Sequence, residues 1–313
     1  MKAYRKESNI AEINLILTSM LRNAGVNANP VLVSTKSNGI PLFPTIKGYN
    51  YVIVKVNLSE GNPFLLDATD IYSTPNVLPI RTINWKGREI NEEGKFSEVS
   101  LYPTSYSSKD YNLSVKITDD LEVKGMLRSK YNNHSALQFR NKNNHLKNES
   151  IITSLEDKYP IEIENFRVSN KLKLSKPIGM LVKFSSSDLI EEINGKLYIE
   201  PLLFFTMRKN PFKLNERKFP IDFSTPWKDK HSVNIQIPEG YKVEFAPKTL
   251  AIALPDNMGV FKFIVKAEAT RLKITSVLQF KDSFISPEYY QDIKAFFKKI
   301  VEKQTEKIVL TKK

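Results

Sequence analysis

The 313-residue chain contains no cysteine and only three histidines, His134, His145 and His231. The first absence removes disulfides, thiolate nucleophiles and cysteine-based zinc or iron–sulfur centres. The second leaves no cluster from which a histidine metal site could be built, so neither a metal nor a cofactor is expected. No apolar run approaches the roughly 18 residues of a membrane-spanning helix. The start of the chain, MKAYRKESNIAEINL, has charge but no apolar core of a signal peptide. Glycine is scarce, 11 residues against 17 prolines, while tyrosine, phenylalanine, valine and isoleucine are plentiful. That balance leans toward β-rich modules.

What is abundant is positive charge. The formal net charge is +13, which raises nucleic acid as a partner. Yet the excess is spread as +3, +4 and +6 over residues 1–95, 96–215 and 216–313, with acids interleaved throughout. A binding stripe concentrates charge on one face. The expectation is therefore no specific nucleic-acid partner, and only weak, sequence-independent contact at physiological salt.

Residues 9–24 carry the signals of a helix. Asn9 and Glu12 make a capping-box pattern, Gly25 stops the run, and Ile10, Ile13, Leu17, Met20, Leu21 and Ala24 recur at helical spacing. NPVLVST reads as a strand, SNGIPLFPTIKG as a turn-rich loop, YNYVIVKVNL as an alternating strand and FLLDATD as a strand entering a turn. From about residue 96 the pattern turns to hairpins, first around Asp119 and Asp120. Residues 133–157 are more helical, with Leu137, Phe139 and Ile151 to Leu155 inward. Turn signals every 8–12 residues from 216 suggest a sandwich. A last helix is predicted near 287–304, capped by Ser286, with Tyr290, Ile293, Phe297, Ile300 and Val301 as one stripe and Lys294, Lys298, Lys299 and Lys303 flanking it. Such a basic amphipathic helix can lie on a membrane, but packing on its own domain is the reading preferred.

The stretch from Asn9 to Asp70 resembles the bacterial transglutaminase-like superfamily, which is papain-like in geometry. That family places a nucleophilic Cys at the start of a helix followed by LLRAAGI-like sequence, a His on a second strand, and an Asp in an LLDAT-like setting. Here LTSMLRNAGVNANPVLVST, YNYVIVKV and FLLDATD follow in that order. The resemblance puts Ile10 at the Cys position, Tyr51 at the His position, and leaves only Asp67. Isoleucine cannot be a nucleophile, and tyrosine, with a pKa of about 10, is a poor base at neutral pH. Ile10 is expected to pack with Ile13 and Leu17 against the strand of Tyr51, and Asp67 to bond backbone in its turn.

The C-terminal stretch resembles the domain of unknown function that follows such cores in exported envelope proteins, many of which lack the Cys. The resemblance implies an α+β fold: a partial transglutaminase-like domain over 1–95, a β-rich middle region over 96–215, and a β-sandwich-like domain with a terminal helix over 216–313. With Met1 only nine residues before the nucleophile position, the chain is expected to be N-terminally truncated, with apolar faces left exposed on the first helix. The function implied is that of a non-catalytic scaffold in the periplasm or cell envelope, with a peptide, a glycan or another envelope protein as partner. Two alternatives stay open. One is a hydrolase fragment using a carboxylate pair such as Asp67 with Asp70 or Glu191 with Glu192. The other is a glycan or peptide binder using Trp85, Trp227 or Tyr289. Oligomeric state is open.

Overall fold

Asn9 opens the first helix, α1 (Ile10–Asn23), with the reciprocal bonds the sequence predicts: its side chain accepts from the Glu12 amide, and the Glu12 carboxylate accepts from the Asn9 amide. The computed structural model describes residues 9–43 and 47–313. The charged start of the chain at 1–8 and residues 44–46 of the turn-rich loop lie outside them.

α1 lies on one face of a five-stranded antiparallel sheet of order β3-β2-β1-β4-β5, formed by β1 (Ala28–Val33), β2 (Tyr51–Val56), β3 (Phe64–Leu66), β4 (Lys86–Ile90) and β5 (Phe96–Ser100). β2 is a nearly continuous apolar run because both its faces are covered. Val54 and Val56 meet Leu17 and Leu21 of the helix. Tyr51 and Ile53 join Val31, Val33, Leu78 and Leu101 on the face opposite α1. The helix does not bury its whole apolar stripe. Its buried positions are Asn14 and Thr18, while Ile10, Leu15, Ile16 and Met20 (60% exposed) face out. Ile10 therefore does not pack with Ile13 and Leu17 against β2 as expected. One sheet covers only the side of the helix centred on Asn14 and Thr18, and the first turn projects beyond it.

Gly87 of β4 marks a tight point on the face opposite α1. A Cβ there would lie 2.6 Å from Val31 Cγ1 and 3.2 Å from Leu101 Cδ2. Gly87→Ala should cost about 1–3 kcal/mol, measured as a lower urea midpoint at unchanged slope.

The rest of the chain is built on one eight-stranded sheet. Its first half comes from β6 (Ser107–Ile117), β7 (Val123–Asn132), β8 (Glu162–Ser169) and β9 (Ile178–Ser186), with helices α2 (Asn133–Asn143) and α3 (Asn148–Glu156) between β7 and β8. After the short hairpin β10 (Ile190–Ile193) and β11 (Lys196–Ile199) and the two-residue β12 (Ile221–Asp222) comes β13 (Trp227–Gln236). Then follow β14 (Tyr241–Phe245), β15 (Leu250–Ala253), β16 (Gly259–Ala267), β17 (Arg271–Phe280) and β18 (Phe284–Ile285). The chain ends in α4 (Tyr290–Thr305) and β19 (Ile308–Lys312).

The sheet order is β15-β16-β17-β13-β6-β7-β9-β8, with β6 and β13 parallel along their whole length. Phe96–Ser100 belongs to the first sheet, while strands within 107–186 and within 227–280 thus share the eight-stranded one. A second sheet, β10-β11-β19-β14, and α4 close its inner face. Leu197, Ile199, Ile308 and Leu310 meet Leu113, Val233 and Ile274 in the core. The terminal helix packs on its own domain, with Phe297 stacked on Phe280 at 5.9 Å. Its buried stripe is Tyr290, Ile293, Phe296, Phe297, Ile300 and Gln304; Val301 is only half-buried. A 3₁₀ turn, Pro287–Tyr289, precedes it, and Ser286 makes no side-chain cap. The fold class is α+β.

Candidate functional site

Asp67 follows β3 directly and is 6% exposed. Its Oδ2 accepts from the Tyr51 hydroxyl at 2.7 Å, and its Oδ1 from Asn14 Nδ2 at 3.0 Å, the Thr69 hydroxyl at 2.7 Å and the Thr69 amide at 2.9 Å. The backbone bond in the turn is present as expected, but side chains do most of the binding. Asn14 ties helix to sheet: its Nδ2 also donates to the Val52 carbonyl at 2.8 Å, and its Oδ1 accepts from the Ala68 amide at 2.9 Å. Arg81 closes the outer side. Its Nη2 donates to the Tyr51 hydroxyl at 2.9 Å and to Thr69 Oγ1 at 3.1 Å, with the guanidinium 5.4 Å from the tyrosine ring centroid.

Of the three positions the resemblance singles out, two are brought together and one is not. Tyr51 and Asp67 bond directly, while Ile10 sits at the exposed head of α1, 38% accessible. Burial, reinforced by the Asp67 charge, pushes the Tyr51 phenol up to about 12, against opposing hydrogen bonds from Thr69 and Arg81. At neutral pH this phenol keeps its proton and donates it to Asp67. The pair holds an aromatic ring in place as a base–carboxylate pair would, and it supplies no base. Sequence reading missed Asn14, Thr69 and Arg81. An Asn in the middle of a helix is an unfavourable choice that needs a reason, and it was the one local signal.

The other candidates do not assemble. Asp70 accepts from the Tyr72 amide and from Asn141, and shares no hydrogen-bond partner with Asp67 among the described residues. Glu191 pairs with Lys307 at 2.6 Å and stands beside Glu192 on a strand, where neighbours point to opposite faces. Trp227 stacks on Phe280 at 5.1 Å, and Tyr289 packs against the main core. Trp85 is partly exposed with Lys86 over its ring. These three do not form an exposed aromatic row.

A second polar network lies on the face of the first sheet opposite α1. Glu89, buried, accepts from Lys55 Nζ at 2.6 Å, Asn29 at 2.8 Å, Asn57 at 3.0 Å and Ser97 at 3.1 Å. Burial alone would raise its pKa, but these donors, Lys55 first, bring it down to about 2. Among the described residues no group of three or more His, Asp or Glu is placed to hold a metal ion, and no helix is long and apolar enough to cross a membrane.

Comparison with known proteins gives a partial match. Residues 195–310 match DUF3858, a domain of unknown function with a solved structure. The DUF3858 match spans β11 to most of β19 and so takes in α4 and the parallel strand β13. It does not reach the network around Asp67. No curated protein matches the chain. One solved structure, described as a candidate protease from Parabacteroides distasonis, is similar over 96% of this chain, at 10% identity and a TM-score of 0.47. The match covers 43% of that protein, so this chain spans less than half its length.

Proposed function

We propose that the chain is a non-catalytic envelope protein in which a degenerate transglutaminase-like unit serves as a scaffold or binding module. The observation that carries this reading is the use made of Tyr51. Where acyl transfer needs a base, a protonated phenol spends its hydrogen on Asp67 and is clamped from outside by Arg81. The nucleophile position, Ile10, has no reactive atom, and the chain has no cysteine to replace it. The envelope location rests on the sequence resemblance of both ends of the chain. The test is to incubate the purified protein and its Asp67→Ala variant with glutamine peptides and an amine donor, and separately with peptide amides. The expected result is no turnover by either. Turnover by the parent chain that disappears on substitution would overturn the reading.

A further inference from the structure

The positive charge that is spread along the sequence is gathered in space. Successive side chains of a strand point to opposite faces, and in the eight-stranded sheet one set packs inward with Leu113, Val233 and Ile274. The other set faces out, in rows that the strand register fixes. One row runs Lys266, Lys273, Asn234, Ser114, Met126 and Lys183. On one side of it Arg271, Lys116 and Lys124 share a row that ends at Glu162. On the other side Arg128 and Arg167 flank Leu181, and beyond them Lys262, Lys230, Asp110 and Lys130 fall into line. Asp110 and Glu162 are the acids at outward paired positions, with Glu164 in the bulge of β8. No Phe, Tyr or Trp stands at an outward paired position of the eight strands.

The β7–β9–β8 end of this face holds a shallow depression of about 450 Å³. Gly179 and Leu181 lie at its floor, and exposed Arg128, Lys130 and Arg167 stand around it, with no Asp or Glu in its lining. None of the three makes an ion pair within 4.0 Å among the described residues, whereas Lys124 on the same face pairs with Glu122 at 3.1 Å. Asp110 lies opposite both Lys130 and Lys230 in the register and pairs with neither. The loop from β8 to β9 leaves and rejoins the depression at Asn170 and Pro177. Buried Arg140 braces it, donating to the carbonyls of Lys171 at 3.1 Å, Asn170 at 3.2 Å, Lys173 at 3.1 Å and Lys176 at 2.8 Å. On this fixed backbone Leu172 is 79% exposed, between Lys171 and Lys173.

We propose that this face docks on a membrane leaflet rich in anionic phospholipid, with headgroup phosphates at Arg128, Lys130 and Arg167 and with Leu172 entering the interface beside them. Three features favour a leaflet over nucleic acid. The charge covers an area, about 30 Å across the strands from β16 to β8, where a nucleic-acid backbone asks for a line. No outward ring is present on which a base could stack. An exposed leucine between lysines suits the boundary of headgroup and acyl chain, and offers nothing to a chain of phosphates. A sheet twists by roughly 20–25° per strand, so a planar leaflet meets one part of the face at a time. The unpaired trio and its braced loop mark that part. The inference is independent of the reading of Tyr51 and Asp67.

The test is co-sedimentation of the full chain with sucrose-loaded vesicles of phosphatidylcholine, alone or in equal parts with phosphatidylglycerol, at about 100 mM salt. Binding to the mixed vesicles and none to the neutral ones is expected. The triple variant Arg128→Gln, Lys130→Gln and Arg167→Gln should bind at least about tenfold more weakly, since each basic residue near an anionic leaflet is worth roughly fivefold. A matched triple, Lys242→Gln on β14 with Lys298→Gln and Lys299→Gln on α4, removes the same charge from the side where the second sheet and α4 lie. It should bind within about twofold of the parent, because charges beyond a Debye length of about 10 Å are screened. Leu172→Ser should weaken vesicle binding several-fold. Thermal melts of both triples should match the parent; if the first melts lower, Arg128→Gln and Arg167→Gln singly each read a share of the same loss. No binding to mixed vesicles, equal loss in the two triples, or tighter binding to duplex DNA than to the vesicles at the same salt would each overturn the proposal.

Discussion

Replacing Asp67 by Ala should lower the stability of the protein by about 3–5 kcal/mol while leaving its folded architecture in place. The substitution strips the acceptor from four donors at once: Tyr51, Asn14 and the amide and hydroxyl of Thr69. Two of these come from side chains that are themselves buried, where an unmet donor costs about 1–3 kcal/mol. Tyr51→Phe is the milder cut. It removes one donor from Asp67, which keeps the other three, and should cost about 1–2 kcal/mol. Urea unfolding at neutral pH measures both. A smaller loss for Asp67→Ala than for Tyr51→Phe would mean that the carboxylate is not the centre of the network.

Acid should destabilise the protein as the pH falls below about 6.5. Burial pushes both His134 and His231 down to about 4, from an ordinary value near 6.5. Between those values the unfolded chain takes up protons that the folded chain refuses, so stability falls as the pH is lowered through this window. His134, almost wholly inaccessible, contributes up to about 3 kcal/mol. His231, stacked on Tyr111 at 4.9 Å but only half-buried by area, contributes less. Below pH 4.5 Glu89 adds to the decline, since its depressed pKa gives stability that is lost as the pH falls toward 2. Urea midpoints measured from pH 7 to 4 check this, beside His134→Leu. That variant should flatten the slope; an unchanged slope would show that the His134 imidazole already protonates in the folded state.

Much of the local structure was legible because its causes are local. Asn9 and Glu12 announce a cap whose two bonds lie within four residues, and the β6–β7 hairpin turns where Asp119 and Asp120 interrupt two alternating runs. The position of Ile10 was not legible. Helical spacing shows that a face is apolar, but coverage depends on what lies opposite, and here the sheet reaches only the Asn14 side. The resemblance singled out Tyr51 and Asp67, but the expectation was that Asp67 would bond backbone, and its bond to Tyr51 came from the structure. Thr69 and Arg81 were not legible, because their contacts depend on how the turn after β3 and the segment before β4 come together. The depression at Arg128 combines residues from β7, β8, β9 and the loop between the last two, a juxtaposition no single stretch encodes. The parallel pairing of β6 with β13 is of the same kind.

That pairing has a consequence for how the protein is made. β6 ends at Ile117 and its parallel neighbour begins at Trp227. At roughly 5–20 residues per second, synthesis leaves the edge of β6 without its partner for on the order of ten seconds. During that interval β6 to β9 present a long unpaired edge, the form of intermediate most prone to aggregate. The converse holds for the stretch at 195–310, which contains β13 and β17 but not the strand that covers β13 on its other side. Expressed alone, it would expose that edge permanently. Its boundaries mark a unit of sequence, and the unit of folding begins at least as early as β6.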